Sequence, residues 1–487
     1  MSKRKLGWII DPLQEAENPL LTWLWCGFLF LCGLILWGVL LNFGEIPFDF
    51  HDWAEVNAPR IAFLQDAIRK GVLPLHMADA SALRGVTDRY MALPDVILSP
   101  QVLLLKWLDV GDFILVHTWL LFALGFWGLY RLKKMAGLSL LTFSWLFLLF
   151  NFNGHLVSHY AVGHVTWGGT FLFSWFIYLV MKLLNGDHSW RWVAQISFLL
   201  FFIFLQGSFH QFVWCLLFLG VLALTGVRNF FSVLKAGAAA CLLSLVRIVP
   251  PALQMGSFDD EFLGGFSSLR QLFDAFVRII PPADSLNPEA TGSFLGWWEF
   301  DAYLGYAGAA ALIVFGIVWL AARDKKSGFP AVLLPVAVIA LFSVSKFYEW
   351  FRLIPIPLFT GERVSSRMLI LPLVFGFFFA AAGMQNALNS RRKPLFSAVI
   401  AILTLITADE LWQHLSVWQV TNAFQSFPYT YTDLSIKTVN NHADPQYTSG
   451  LLIGLSVTVL TALVLLLLVW REARQKNAGT DLTPQNE

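Results

Sequence analysis

The chain has 487 residues, 57% of them hydrophobic and only 13% charged, with 45 Phe and 21 Trp. Soluble globular domains carry about 25% charged residues, so the composition excludes an ordinary soluble fold and points to an all-α polytopic membrane protein. A net charge of +1 gives no footing for nucleic-acid binding. The cysteines (Cys26, Cys32, Cys215, Cys241) all fall inside apolar runs, where they act as small hydrophobes and not as a disulfide framework.

Crossing about 30 Å of hydrocarbon takes roughly 20 apolar residues in a helix. In chain order the candidate runs are 20–41, 112–130, 138–153, 167–184, 192–206, 209–226, 231–249, 302–321, 328–345, 368–388, 394–409 and 450–470, so about twelve spans are expected. The first run is longer than a signal h-region and lacks a small-residue cleavage site, so it is expected to remain as a helix. Basic residues fall in alternate loops and tails: Lys3, Arg4 and Lys5; Arg131, Lys133 and Lys134; Lys182 and Arg191; Arg228 and Lys235; Arg323, Lys325 and Lys326; Arg391, Arg392 and Lys393; Arg471, Arg474 and Lys476. Lys and Arg favour the cytoplasmic side. Both termini are therefore expected in the cytoplasm, with the long loops outside. Residues 1–475 read as a single transmembrane domain and 476–487 as a disordered cytoplasmic tail.

The first long polar segment, 42–111, places Asp49, Asp52 and Glu55 just after the first span. Pro59 can begin a helix. Ile61, Leu64 and Ile68 then share one face and Gln65, Asp66 and Arg69 the other, the pattern of a helix lying in the membrane interface. Gly71 and Pro74 end it. A second apolar piece, Val96 to Leu108, is too brief to span and is expected to lie at the interface or re-enter. The other expected outer segments are 151–164, 250–301, 346–367 and 410–449.

These segments hold the candidate chemistry. Asp49 and Asp52 read as ordinary solvated loop residues, as helix caps or as site carboxylates, and Glu55 as a partner for Arg60. Arg363 and Arg367 flank Ser365 and Ser366, a set able to hold a phosphate or simply to snorkel at a span end. Arg247, Lys346 and Arg352 are lesser cations of the same kind. His155, His159 and His164 share one short segment, the first two on one helix face. With His210 they could ligate a divalent metal such as Mg or Mn, or hydrogen-bond inside a cavity. Glu299 and Asp301 could grip a metal or sugar hydroxyls, or anchor a span start. Trp297 and Trp298 read as interface-belt residues.

The segment Asp52, Pro59 and Arg69-Lys70-Gly71-Val72-Leu73-Pro74-Leu75 resembles the GT-C superfamily of integral-membrane glycosyltransferases, in particular its uncharacterised bacterial branches related to the YfhO family. The Trp-Asn-Pro that often follows there is replaced by His76-Met77-Ala78. The resemblance implies transfer of a sugar from a polyprenyl-phosphate donor to a glycan, lipid or protein acceptor. It places the activity at the extracytoplasmic face of a bacterial inner membrane. It also implies a general base at Asp52, with Asp49 as second choice, and phosphate contact from Arg363 or Arg367. Rival readings are a lipid or oligosaccharide flippase, which calls for intramembrane ionisable residues or broken helices, and a non-catalytic membrane assembly protein.

Overall fold

A computed structural model describes residues 19–78, 88–253, 263–282, 295–322, 330–354, 362–425 and 438–480. Among them the chain is helical, with only isolated β-bridges. In order, the helices are α1 (Pro19–Leu40), α2 (Ala58–Lys70), α3 (Val110–Ala136), α4 (Leu140–Phe152), α5 (Gly154–Ala161), α6 (Phe173–Leu184), α7 (Trp190–Leu205), α8 (Phe209–Ala223), α9 (Val227–Leu243) and α10 (Leu245–Ala252). They continue as α11 (Leu269–Val277), α12 (Gly305–Ala322), α13 (Pro330–Phe342), α14 (Ser345–Arg352), α15 (Ile370–Leu388), α16 (Lys393–Trp418), α17 (Val420–Gln425) and α18 (Pro445–Thr480).

Every expected span coincides with an apolar helix, yet their lengths divide them. Among the described residues seven helices are long and apolar enough to cross a membrane, and eight if α9 and α10, bent by 65°, count as one. The rest, Trp190–Leu205, Phe209–Ala223, Gly305–Ala321 and Ala331–Phe342, are shorter apolar helices. Local chemistry explains some of the shortness. Gly207, at φ 80°, separates α7 from α8.

Several boundaries differ from expectation. Residues 151–164 are not an outer loop: most of them form α5, which is wholly buried. Helix α16 runs on to Trp418, so 410–418 is helical as well. Helix α18 continues to Thr480, into the first residues of the region expected to be disordered. Residues 481–487 lie outside the described set.

The long run Leu140–Ala161 is 94% buried, whereas that of α18 is 17% buried. A helix apolar all round belongs at the centre of a bundle, and α4 holds that place. Asn153 both ends it and starts α5. Its amide donates back to the Leu149 and Phe150 carbonyls, and its Oδ1 accepts from Leu156 N at 3.2 Å. Ser139 caps α4 in the same manner, accepting from Thr142 N.

The expected interfacial helix exists as α2, with Pro59 in its first turn and Gly71 as a left-handed C-cap at φ 67°. Its apolar face, however, packs on protein. Arg60, Ile61, Phe63, Leu64 and Ala67 are buried, and Gln65 donates to the Leu108 carbonyl at 2.8 Å. Residues 100–106 form a 3₁₀ turn beside it. A π-helical turn, Trp53–Asn57, precedes α2 and sets the direction in which Asp52 leaves the chain.

Helices α12 and α15 pack directly against each other. Trp319 stacks on Phe379 with centroids 4.2 Å apart, and Gly383 lies so near the α12 backbone that a Cβ there would come within 1.9 Å of Phe315 O. Backbone cannot yield as a side chain can. G383A is therefore expected to lower the thermal midpoint of the purified protein, at a cost of about 1–3 kcal/mol. G220A, which meets nothing within 4 Å, should leave the midpoint unchanged or slightly raised.

Candidate functional site

The site is built where the turn after α1 meets the end of α5. Gly163 adopts φ +101°, and a Cβ there would come within 2.5 Å of Trp53 N. Only glycine permits that approach at that angle. Three successive carbonyls at this junction are each taken by a side chain from residues 51–57. Trp53 Nε1 donates to Ala161 O at 3.0 Å, His51 Nδ1 to Val162 O at 3.1 Å, and Asn57 Nδ2 to Gly163 O. The next residue, His164, then meets Asp52, with Nε2 2.8 Å from Oδ2.

From there a polar chain runs inward. His164 Nδ1 lies 2.7 Å from His159 Nδ1. If His164 Nε2–H donates to Asp52, its Nδ1 must accept from His159, which leaves His159 Nε2 as a bare nitrogen. That nitrogen is buried without a hydrogen-bond partner, as is Nε2 of His155. His159 stacks on Trp167 with centroids 4.4 Å apart, and the Arg367 guanidinium lies 5.4 Å from the same indole. Arg367 in turn grips Glu299 with two hydrogen bonds of 2.5 Å. Beyond Trp167, Glu362 accepts from Trp214 Nε1 at 3.2 Å and lies 3.0 Å from His210 Nδ1.

Charge decides what such a pocket can hold. Arg60 pairs with Asp95 at 2.7 Å, not the partner expected for it. Asp52 feels both Arg60 and Arg367, and Arg367 feels both Glu299 and Glu362. Asp52, Glu299, Glu362 and Asp95 thus face three guanidinium groups, those of Arg60, Arg367 and Arg247, an excess of one negative charge before any imidazole is counted. Burial works to raise the Glu299 carboxyl, but the charge and hydrogen bonds of Arg367 overcome it and hold it below the ordinary glutamate value. Glu362 is lowered in the same way, with His210 opposing the burial. Burial pushes His51 below its usual value, with Asp52 only partly offsetting it.

The sequence candidates separate on this geometry. Asp52, His155, His159, His164, Glu299 and Arg367 come together. Asp49, just ahead on the chain, is half-buried with Oδ1 lacking a hydrogen-bond partner. Arg367 is paired with Glu299, and Arg363 is exposed. The Ser365 and Ser366 hydroxyls are spent on the Gly264 and Glu299 carbonyls. Asp301, 1% exposed, is an anchor. Its Oδ1 accepts from Tyr303 N, while Oδ2 meets Trp418 Nε1 and His414 Nε2 at 2.9 and 3.0 Å. Arg247 is buried and donates to the Leu93, Pro94 and Val96 carbonyls. Trp297 and Trp298 are buried, not at an interface, and Trp298 meets His51 edge-on at 4.6 Å.

For a metal, the group that fits is not the expected histidine quartet. Ligand atoms of His51, Asp52 and His164 lie within 4.8 Å of one another, whereas His155, His159 and His210 join no such group among the described residues. Two imidazoles and a carboxylate suit Mn²⁺ or Zn²⁺ better than Mg²⁺, which prefers oxygen ligands. Sequence reasoning missed His51, Asn57, Trp167 and Glu362. His51 stands beside Asp52 and Glu362 beside Arg363, so adjacency was the available signal.

Two outcomes follow from this geometry. G163A should separate His164 from Asp52, because neither the angle nor the space admits a methyl group. The check is titration with Mn²⁺ by calorimetry, in which G163A should lose the same binding at His51, Asp52 and His164 that H164A loses. Glu299, its folded value depressed, contributes stability that is present above the unfolded glutamate value of about 4.3 and is lost as pH falls through the folded value. E299Q should therefore be destabilised by about 3–5 kcal/mol near neutrality, where it strands Arg367. The gap from wild type should narrow in thermal-unfolding scans taken below about pH 4.

Comparison of the chain with protein-family models, with curated proteins and with solved structures finds no match.

Proposed function

We propose that this chain is a glycosyltransferase of a bacterial plasma membrane, crossing it about twelve times with both termini inside. In this reading Asp52, at the extracytoplasmic face, is the general base that accepts the proton of an acceptor hydroxyl. The oxygen so freed bonds to the anomeric carbon of the sugar as that carbon's bond to the polyprenyl phosphate breaks and the phosphate departs with the electron pair. One observation carries the reading. Asp52 is held by His164 through one oxygen, its side chain stays 18% exposed, and buried ionisable groups lie behind it. A positioned base contributes about 10²–10⁴-fold to such a step.

The acid-rich surroundings revise how the phosphate would be met. Arg367 is neutralised by Glu299, so a divalent cation held by His51, Asp52 and His164 would supply the charge that stabilises the leaving phosphate. For the lipid tail, a groove of about 360 Å³ runs along Leu120, Leu121, Leu124 and Trp127 of α3 to Phe202, with Gln101 at its polar end. Gln101 donates to Gln206 at 2.7 Å. The neighbouring Gly207 lies against the carbonyl of Asp95, the partner of Arg60. An apolar groove of this kind would suit part of an isoprenoid tail.

A second reading, transport of a lipid or oligosaccharide, is favoured by different features: the 65° break between α9 and α10, the buried Arg247 beside it, and the buried Glu299–Arg367 pair. Assays of sugar transfer from polyprenyl-phosphate sugars in membranes, matched for protein amount, separate the two. D52N should lower transfer by about 100-fold or more, and H164A by less. Unaltered transfer in D52N would remove the proposed base. Movement of the lipid across vesicles without any sugar transfer would favour transport.

A further inference from the structure

A second cluster stands apart from the first, where residues 75–78 and 88–91 meet the approach to α18. The backbone holds three strand-like pieces together. Met77 N donates to Asp88 O at 3.0 Å and Tyr90 N to Leu75 O at 2.9 Å. On the other side, Ala78 N donates to Thr438 O at 2.9 Å and Asn440 N to His76 O at 3.0 Å. Pairing on both flanks of 76–78 fixes where the side chains of three distant segments meet.

We propose that His76, Asp88 and His442 form a metal site of the Zn²⁺ class, which fastens the first polar segment to the chain entering α18. One ligand atom from each lies within 4.8 Å of the other two. The imidazoles of His76 and His442 are 4.0 Å apart between centroids, and His442 Nε2 is 2.8 Å from Asp88 Oδ2. The His76 ring is 0% exposed, and its Nδ1 has no hydrogen-bond partner. Buried polar atoms are almost always paired, so this nitrogen needs a reason.

The rest of the cluster supplies one. His76 Nε2 lies 3.5 Å from Asp444 Oδ2, and Asp444 is itself held by two hydrogen bonds from Arg89, of 2.6 and 3.1 Å. A carboxylate behind one ring nitrogen directs the proton there and leaves the other as a lone pair, the arrangement that orients metal-binding histidines. Two imidazoles and one carboxylate select zinc-like ions over calcium or magnesium, and three protein ligands leave a fourth position for water.

The fastening bears on the candidate site without belonging to it. Tyr90 donates its hydroxyl proton to Arg60 O at 3.1 Å, and Tyr447 donates to nearby backbone. A bound ion would hold Tyr90, and through it the start of α2, against α18. The inference does not depend on sugar transfer.

The experiment uses full-length protein purified in detergent and stripped by a chelator, then titrated with Zn²⁺ by calorimetry and by thermal unfolding. His442 is 55% exposed at its side chain, so H442A is a variant expected to fold, and D88N provides a second. Wild type and H164A should both gain thermal stability with Zn²⁺, and H442A and D88N should bind at least tenfold more weakly. A wild type that Zn²⁺ does not stabilise overturns the proposal. So does an H442A that keeps the wild-type shift, most plainly if H164A loses it, since the metal would then reside with Asp52.

Discussion

The junction at residues 161–163 is the constraint from which the rest of the site follows. Two carbonyls at the end of a buried helix, those of Ala161 and Val162, have no helical partner, and an unpaired buried carbonyl is costly. The side chains of Trp53 and His51 satisfy them, and Asn57 adds a second donor to Gly163 O, which already accepts from Val165 N. Because those donors sit around a single tight turn, meeting them also carries Asp52 to His164. The same act that closes the helix end assembles the candidate base and its partner. His51 stays at φ +42°, a left-handed angle uncommon for a side-chain-bearing residue, held by its bond to Val162 O.

The buried charges obey a second constraint. Ions brought out of water must be paired and hydrogen-bonded, or they lose their charge. Each acid in the cluster has a cationic or imidazole partner: Glu299 with Arg367, Glu362 with His210, Asp95 with Arg60, and Asp52 with His164. The remaining excess of acid makes the pocket more hospitable to a cation than to a bare anion. In the proposed function this moves the phosphate's counter-charge from arginine to a cation beside Asp52.

Much of the fold was legible in the chain itself. Long apolar runs, Pro59 opening a helix and Gly71 closing it are local signals, and helices are local structures. Each expected apolar run became a helix. Its length was less legible, since a glycine turn such as Gly207 ends a helix without changing its composition. The segment 151–164 reads as a loop because its polar residues resemble surface ones, and nothing local says that His155, His159 and Asn153 are buried.

By itself, then, the sequence determined the membrane-type composition, the helical character and the grouping of acids and histidines near particular span ends, because these depend on hydrophobicity and on neighbours along the chain. Tertiary structure alone decided which of them meet. Asp52 with His164, Glu299 with Arg367, and His76 with Asp88 and His442 are pairings across more than sixty residues in all but the His76–Asp88 step. It also decided that Asp301 is an anchor while Glu299 is not, although one residue separates them. Contact between distant segments depends on how helices pack, and no local pattern encodes that.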